Sequence, residues 1–137
     1  MRLDRALHAT IDEGSLQQLV DRFYARVRAD DVIGPLFNDA VADWSEHLDK
    51  LQSFWSSVML TSGRYTGRPL PAHVQHADRI SGASFDRWLS LWRQTTAELF
   101  EPAAAAALQE KAERIAESLQ LGIRFARGGG LQSSAVA

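Results

Sequence analysis

The chain has 137 residues, a length suited to one domain whose core is large enough to enclose a flat cofactor. Its 15 basic and 17 acidic residues give a formal net charge of −2 and form no basic block, which argues against nucleic acid as a partner. Cysteine is absent, so disulfides, thiolate metal sites and a cysteine nucleophile are excluded.

The opening Met1 to His8 lacks an apolar core of signal-peptide length, and no later run approaches the ~20 apolar residues that span a bilayer. A soluble, cytoplasmic protein with no membrane partner is the expectation. Leu3 to Ala9 suggests a short helix. From Ser15 to Asp30, Leu16, Leu19, Val20, Phe23 and Val27 recur at helical spacing, with Tyr24 beside the stripe. Gly34-Pro35 ends that pattern, and Leu36-Phe37 suggests a brief helical turn presenting Phe37 inward.

Asp43-Trp44-Ser45-Glu46 carries the signature of a capped start, and a helix is expected from there to about Ser62. Its stripe is Trp44, Leu48, Leu51, Trp55, Val58 and Met59, and His47 lies one turn before Leu51 on the same side. The Tyr65 to His76 stretch follows, where Gly67, Pro69 and Pro71 leave room only for a short helix carrying His73 and His76. Ala77 to Ala83 reads as polar loop. Ser84 is placed to cap a third long helix, Phe85 to about Phe100, with Phe85, Trp88, Leu89, Trp92, Thr96 and Leu99 inward. Pro102 opens a fourth, with Leu108, Ala112, Ile115, Leu119, Gly122 and Ala126 on one face, until Gly128-Gly129-Gly130 stops it. The class is all-α: one domain over residues 1–130 and a tail over 131–137.

Taken singly, these residues have ordinary readings. His73 alone is a partly exposed helix histidine. With His76 it could hold a divalent ion, but two ligands are too few, and Asp78 is the nearby carboxylate. His47, Tyr24, Trp88 and Trp92 alone are packed aromatic residues. Together, four tryptophans and histidines where apolar residues belong imply a cavity with polar edges, because buried Trp and His need hydrogen-bond partners.

Their order is more specific. Phe23-Tyr24-Ala25-Arg26-Val27-Arg28, Gly34-Pro35-Leu36-Phe37-Asn38, Trp44-Ser45-Glu46-His47, Phe54-Trp55, Arg68-Pro69-Leu70-Pro71-Ala72-His73 and Phe85-Asp86-Arg87-Trp88-Leu89 together resemble the truncated haemoglobins, on the class III branch of bacteria. The resemblance covers about Leu16 to Phe125, and the lack of Gly-Gly before residue 128 agrees with that branch. His76 to Ala83 departs from it, lacking the proline-containing apolar run usual after the iron-binding histidine.

The resemblance implies a globin in which two antiparallel helix pairs sandwich haem b. His73 becomes the proximal ligand of the iron. Tyr24, His47 and Trp88 become the groups facing the ligand, Leu51 an apolar wall, Phe37 a ring against the haem face, and Phe54 with Trp55 the packing behind. Arg64, Arg68, Arg79 and Lys50 are the candidates by position for the haem propionates, and their ordinary reading is four solvated charges. Donors aimed at bound O₂ oppose its release, which suits redox chemistry better than transport. The expected activities are nitric oxide dioxygenation or peroxide activation, with O₂, nitric oxide or peroxide as ligand, a separate reductase, and a monomer or weak dimer. The rival readings are a haem-based gas sensor and a haem-free helical interaction module.

Overall fold

Asp12 opens the first helix, α1 (Glu13–Ala29), by accepting the Ser15 N–H at 2.8 Å, while Ser15 Oγ accepts the Asp12 N–H at 2.9 Å. This reciprocal cap satisfies N–H groups that have no partner within the helix, and it starts α1 two residues before the expected Ser15. The computed structural model describes residues 7–67 and 80–126. The short helix expected around His73 and His76, together with Arg68, Arg79 and the tail, lies outside them.

Further helices follow: α2 (Gly34–Ala40), α3 (Trp44–Leu60), α4 (Gly82–Leu99) and α5 (Pro102–Ala126). Gly34 and Pro35 do not merely end α1. They begin α2, where proline's missing N–H costs nothing. A Cβ on Gly34 would lie 2.9 Å from the Arg28 carbonyl oxygen, so the tight corner between α1 and α2 needs glycine there. Asp43 caps α3 by accepting the Glu46 N–H at 3.2 Å, and Thr61, left-handed at φ 52°, closes the helix just short of the expected Ser62.

Two expectations are corrected. Ser81, not Ser84, caps α4: Ser84 sits at the third helical position and completes a reciprocal box with Ser81, so Gly82 and Ala83 are helical rather than loop. The serine three residues from another serine made either a plausible cap. At the other end of the chain, residues 7–9 are not helical. His8 donates its N–H to the Leu99 carbonyl and accepts from Glu101 N–H, at 2.8 and 2.9 Å, which holds it extended against the α4–α5 corner.

The core forms where α1 packs against α3 and α4, and α4 against α5. Leu16, Leu19, Val20, Phe23 and Val27 are all buried, as their spacing predicts. On α4 the buried face is wider than the expected stripe and adds Leu91 and Thr95, because the helix is covered by α1 on one side and α5 on the other. Thr95 and Thr96 satisfy their hydroxyls by donating to the carbonyls of Leu91 and Trp92, both at 2.8 Å. Arg26 on α1 reaches across to Thr95 and both oxygens of Glu98 on α4.

Asp30 fastens the α1–α2 corner to α4. Its carboxylate accepts the N–H groups of Val32 and Ile33 at 3.0 Å and holds the Arg87 guanidinium at 2.6 and 2.8 Å. The Arg87 contact, with help from those N–H groups and against some desolvation, keeps its carboxyl below its ordinary value. Stability contributed by a depressed carboxyl is present above its unfolded pKa and lost as pH falls through the folded one. Asp30→Ala is therefore expected to destabilise the protein by about 2 kcal/mol near neutral pH, the scale of a lost charged hydrogen bond, with the difference from wild type shrinking below about pH 4. Urea unfolding at neutral and acid pH measures both.

Candidate functional site

The helices leave an apolar-walled cavity of about 820 Å³ that opens to solvent between α2, α3, α4 and α5. Tyr24 of α1 forms part of its wall. Phe37 comes from α2, His47, Leu51 and Phe54 from α3, Trp88 from α4, and Ile115 and Leu119 from α5. Each sequence-predicted site residue among the described ones therefore lines this cavity. His73, Arg68 and Arg79 lie outside the described residues, but Gly67 and Ile80, which flank that stretch, both line the cavity rim.

The wall is built by helix register. Helical spacing puts His47, Leu51 and Phe54 on the side of α3 that faces the opening. His47 is held edge-on between Trp44 and Tyr24, with ring centroids 5.5 and 6.3 Å away. Phe37 meets Tyr24 edge-on at 6.0 Å. Leu51, Phe54, Trp88, Ile115 and Leu119 are only half-buried, so a concave surface of large apolar groups is left facing the opening. An apolar concavity with a few convergent polar groups is the form of a small-molecule or cofactor site.

Tyr24 is the polar group set deepest, 3% exposed. Burial pushes its phenol up to about 12, partly opposed by a hydrogen bond from Trp88. With its pKa held that high the phenol keeps its proton at neutral pH and can donate it into the cavity. Trp92, one turn on, belongs to the core: it is fully buried and donates its indole N–H to the Leu108 carbonyl at 3.0 Å.

At the mouth, Lys50 and Arg64 line the cavity. Arg64 is already paired with Glu13, whose other carboxylate oxygen accepts from the buried Ser56 hydroxyl at 2.6 Å. Tyr65 is a wall residue that sequence reasoning did not single out. It stands edge-on to Phe54 at 5.2 Å, and its backbone N–H donates to Ser57 Oγ at 2.8 Å. Periodicity assigns no direction to a residue beyond a helix end, so its place in the wall carried no sequence signal.

Haem fits this site on chemical grounds, since a flat apolar macrocycle would cover the exposed aromatic wall and the mouth offers cations to its carboxylates. No group of three or more His, Asp or Glu residues among the described ones is arranged to hold a bare metal ion. Nor is any described helix long and apolar enough to cross a membrane.

Comparison with known proteins agrees with this geometry. The family model described as bacterial-like globin matches residues 10–120. Over 115 residues the chain is 30% identical to the group 3 truncated hemoglobin ctb of Campylobacter jejuni, covering 81% of this chain and 90% of that protein. The crystal structure of the group III truncated hemoglobin from Campylobacter jejuni aligns with a TM-score of 0.78 at 29% identity, covering 86% of this chain and 95% of that one. An all-α fold, an aromatic cavity with a buried phenol, and these matches together mean that the chain belongs to the bacterial-like globins, on the group III truncated haemoglobin branch, a family that binds haem and through it diatomic ligands.

Proposed function

We propose that the cavity holds haem b, with His73 as the iron ligand on one face and Tyr24, Trp88 and His47 around the ligand on the other, and that the protein performs redox chemistry on small oxidants rather than transporting O₂. Haem, when bound, would supply an iron able to bind a diatomic ligand or peroxide. Phe37, Leu51 and Phe54 exclude water from that space. Lys50 and Arg64 are the described cations for the propionates, with Arg68 and Arg79 as further candidates.

The observation that carries this reading is the buried Tyr24 hydroxyl in the wall of an aromatic cavity, protonated at neutral pH. A donor fixed in an apolar cavity stabilises a ligand on which negative charge develops and slows its release. Slow release opposes transport and leaves time for a second reactant. Nitric oxide dioxygenation and peroxide reduction both fit, and both draw electrons from a separate donor, a reductase in the first case.

Mixing the haem-loaded, reduced, O₂-equilibrated protein with nitric oxide is the test. Nitrate is expected in proportion to haem, and no nitrate from a protein that retains haem would remove the dioxygenation reading. His47 is close enough to Tyr24 to influence the same space. His47→Leu is accordingly expected to change the resting ferric spectrum, and an identical spectrum would make His47 a wall residue only.

A further inference from the structure

A chain of aromatic rings runs from Trp88 in the cavity wall through the core to the partly exposed Tyr65 at the cavity edge. Trp88 lies nearly parallel to Trp92, with centroids 5.9 Å apart and planes at 8°. Trp92 stacks on Trp55 at 4.4 Å and 20°. Trp55 meets Phe54 at 5.6 Å, and Phe54 meets the half-buried Tyr65 at 5.2 Å. Hydrophobic packing explains why Trp92 and Trp55 are buried, but it is indifferent to the oxidisability of the ring used. Indole and phenol are the aromatic side chains most easily oxidised by one electron, and here they follow one another with a single phenylalanine between.

We infer that Trp88, Trp92, Trp55 and Tyr65 form an electron relay that supplies the cavity from the protein surface when hydrogen peroxide is reduced there. Reduction of peroxide to water consumes two electrons and two protons, and the electrons leave Trp88 one at a time. Each vacancy passes from Trp88 to Trp92 to Trp55 and, across Phe54, to Tyr65. Tyr65 releases its phenolic proton to solvent as it is oxidised, and an external one-electron donor such as ascorbate restores it, returning one electron and one proton. The protons consumed in the cavity come from solvent, so the cycle balances.

Proton positions favour passage over trapping. The Trp92 N–H is bound by the Leu108 carbonyl, a weak base. An oxidised indole with no base to take its proton stays a radical cation and remains able to oxidise its neighbour. Tyr65, at the cavity edge and partly exposed, is where deprotonation can occur. The use of the relay in peroxide reduction rests on the haem reading above, whereas the ring geometry does not.

Pulse radiolysis with azide radicals, which oxidise indoles, tests the relay on the full chain with and without haem. Tyr24 and Tyr65 are the chain's two tyrosines, so a phenoxyl signal can be assigned by substitution. Decay of indolyl absorbance matched by first-order growth of phenoxyl absorbance, independent of protein concentration, is expected in both forms. That growth should be lost in Tyr65→Phe and in Trp55→Phe, with Trp92→Phe as a third block whose folding is checked by circular dichroism. Phenoxyl growth that persists in Tyr65→Phe, or that is unchanged in folded Trp55→Phe, would overturn the relay. Because the haem-free form reports on the rings alone, intact transfer in a protein that fails to take up haem would sink the proposed function and leave the relay standing.

Discussion

His73→Ala is expected to strip the protein of haem, with loss of the Soret band after purification and after haem supplementation. The described part of the cavity wall presents one imidazole, His47, and it lies beside Tyr24. His73, the proposed iron ligand, lies outside the described residues, and Gly67 and Ile80 on either side of that stretch both line the cavity. Removing a supporting group commonly costs a metal site about 10–100-fold in affinity, and removing the sole protein ligand costs more. His47→Leu should keep its haem. The opposite pattern, with haem lost from His47→Leu and kept by His73→Ala, would reverse the assignment of faces.

Tyr24→Phe is expected to raise the O₂ dissociation rate by about tenfold to a hundredfold, which is the ~1.5–3 kcal/mol of a hydrogen bond to a charged acceptor. The phenol stands in a buried, aromatic setting where no bulk water replaces it. Trp88→Phe should raise it as well, because the Trp88 indole N–H is the second donor proposed to face the ligand. Two donors facing one bound ligand share a partner, so the double substitution should depart from the sum. Burial holds the phenol up to about 12, so release should stay flat with pH through the ordinary tyrosine value of about 10. Stopped-flow displacement of O₂ by carbon monoxide measures all of these, and strict additivity would place Tyr24 and Trp88 on separate ligand atoms.

Much of this architecture was legible in the sequence because apolar spacing reports which face of a long helix is covered. The α1 stripe from Leu16 to Val27 and the pairing of His47 with Leu51 on one side of α3 follow from 3.6-residue periodicity alone. What escaped lies where that signal stops. Ser81 and Ser84 are chemically equivalent caps, and only their mutual hydrogen bonds choose between them. Residues 7–9 are extended because the α4–α5 corner offers His8 backbone partners more than 90 positions away, as in its bond to Leu99. Thr95 is polar and buried because α1 supplies Arg26 to it. Tyr65 sits beyond a helix end.

The aromatic cavity between α2 and α5 is the proposed seat of the haem. Titrating haem into cofactor-free protein while following the Soret band and tryptophan emission tests that claim most directly. Trp88 lines the cavity and stacks on Trp92, so a macrocycle seated there must quench their emission. One equivalent of haem per chain should complete both changes together. Emission that stays constant while free haem accumulates, with no Soret shift, would contradict the account.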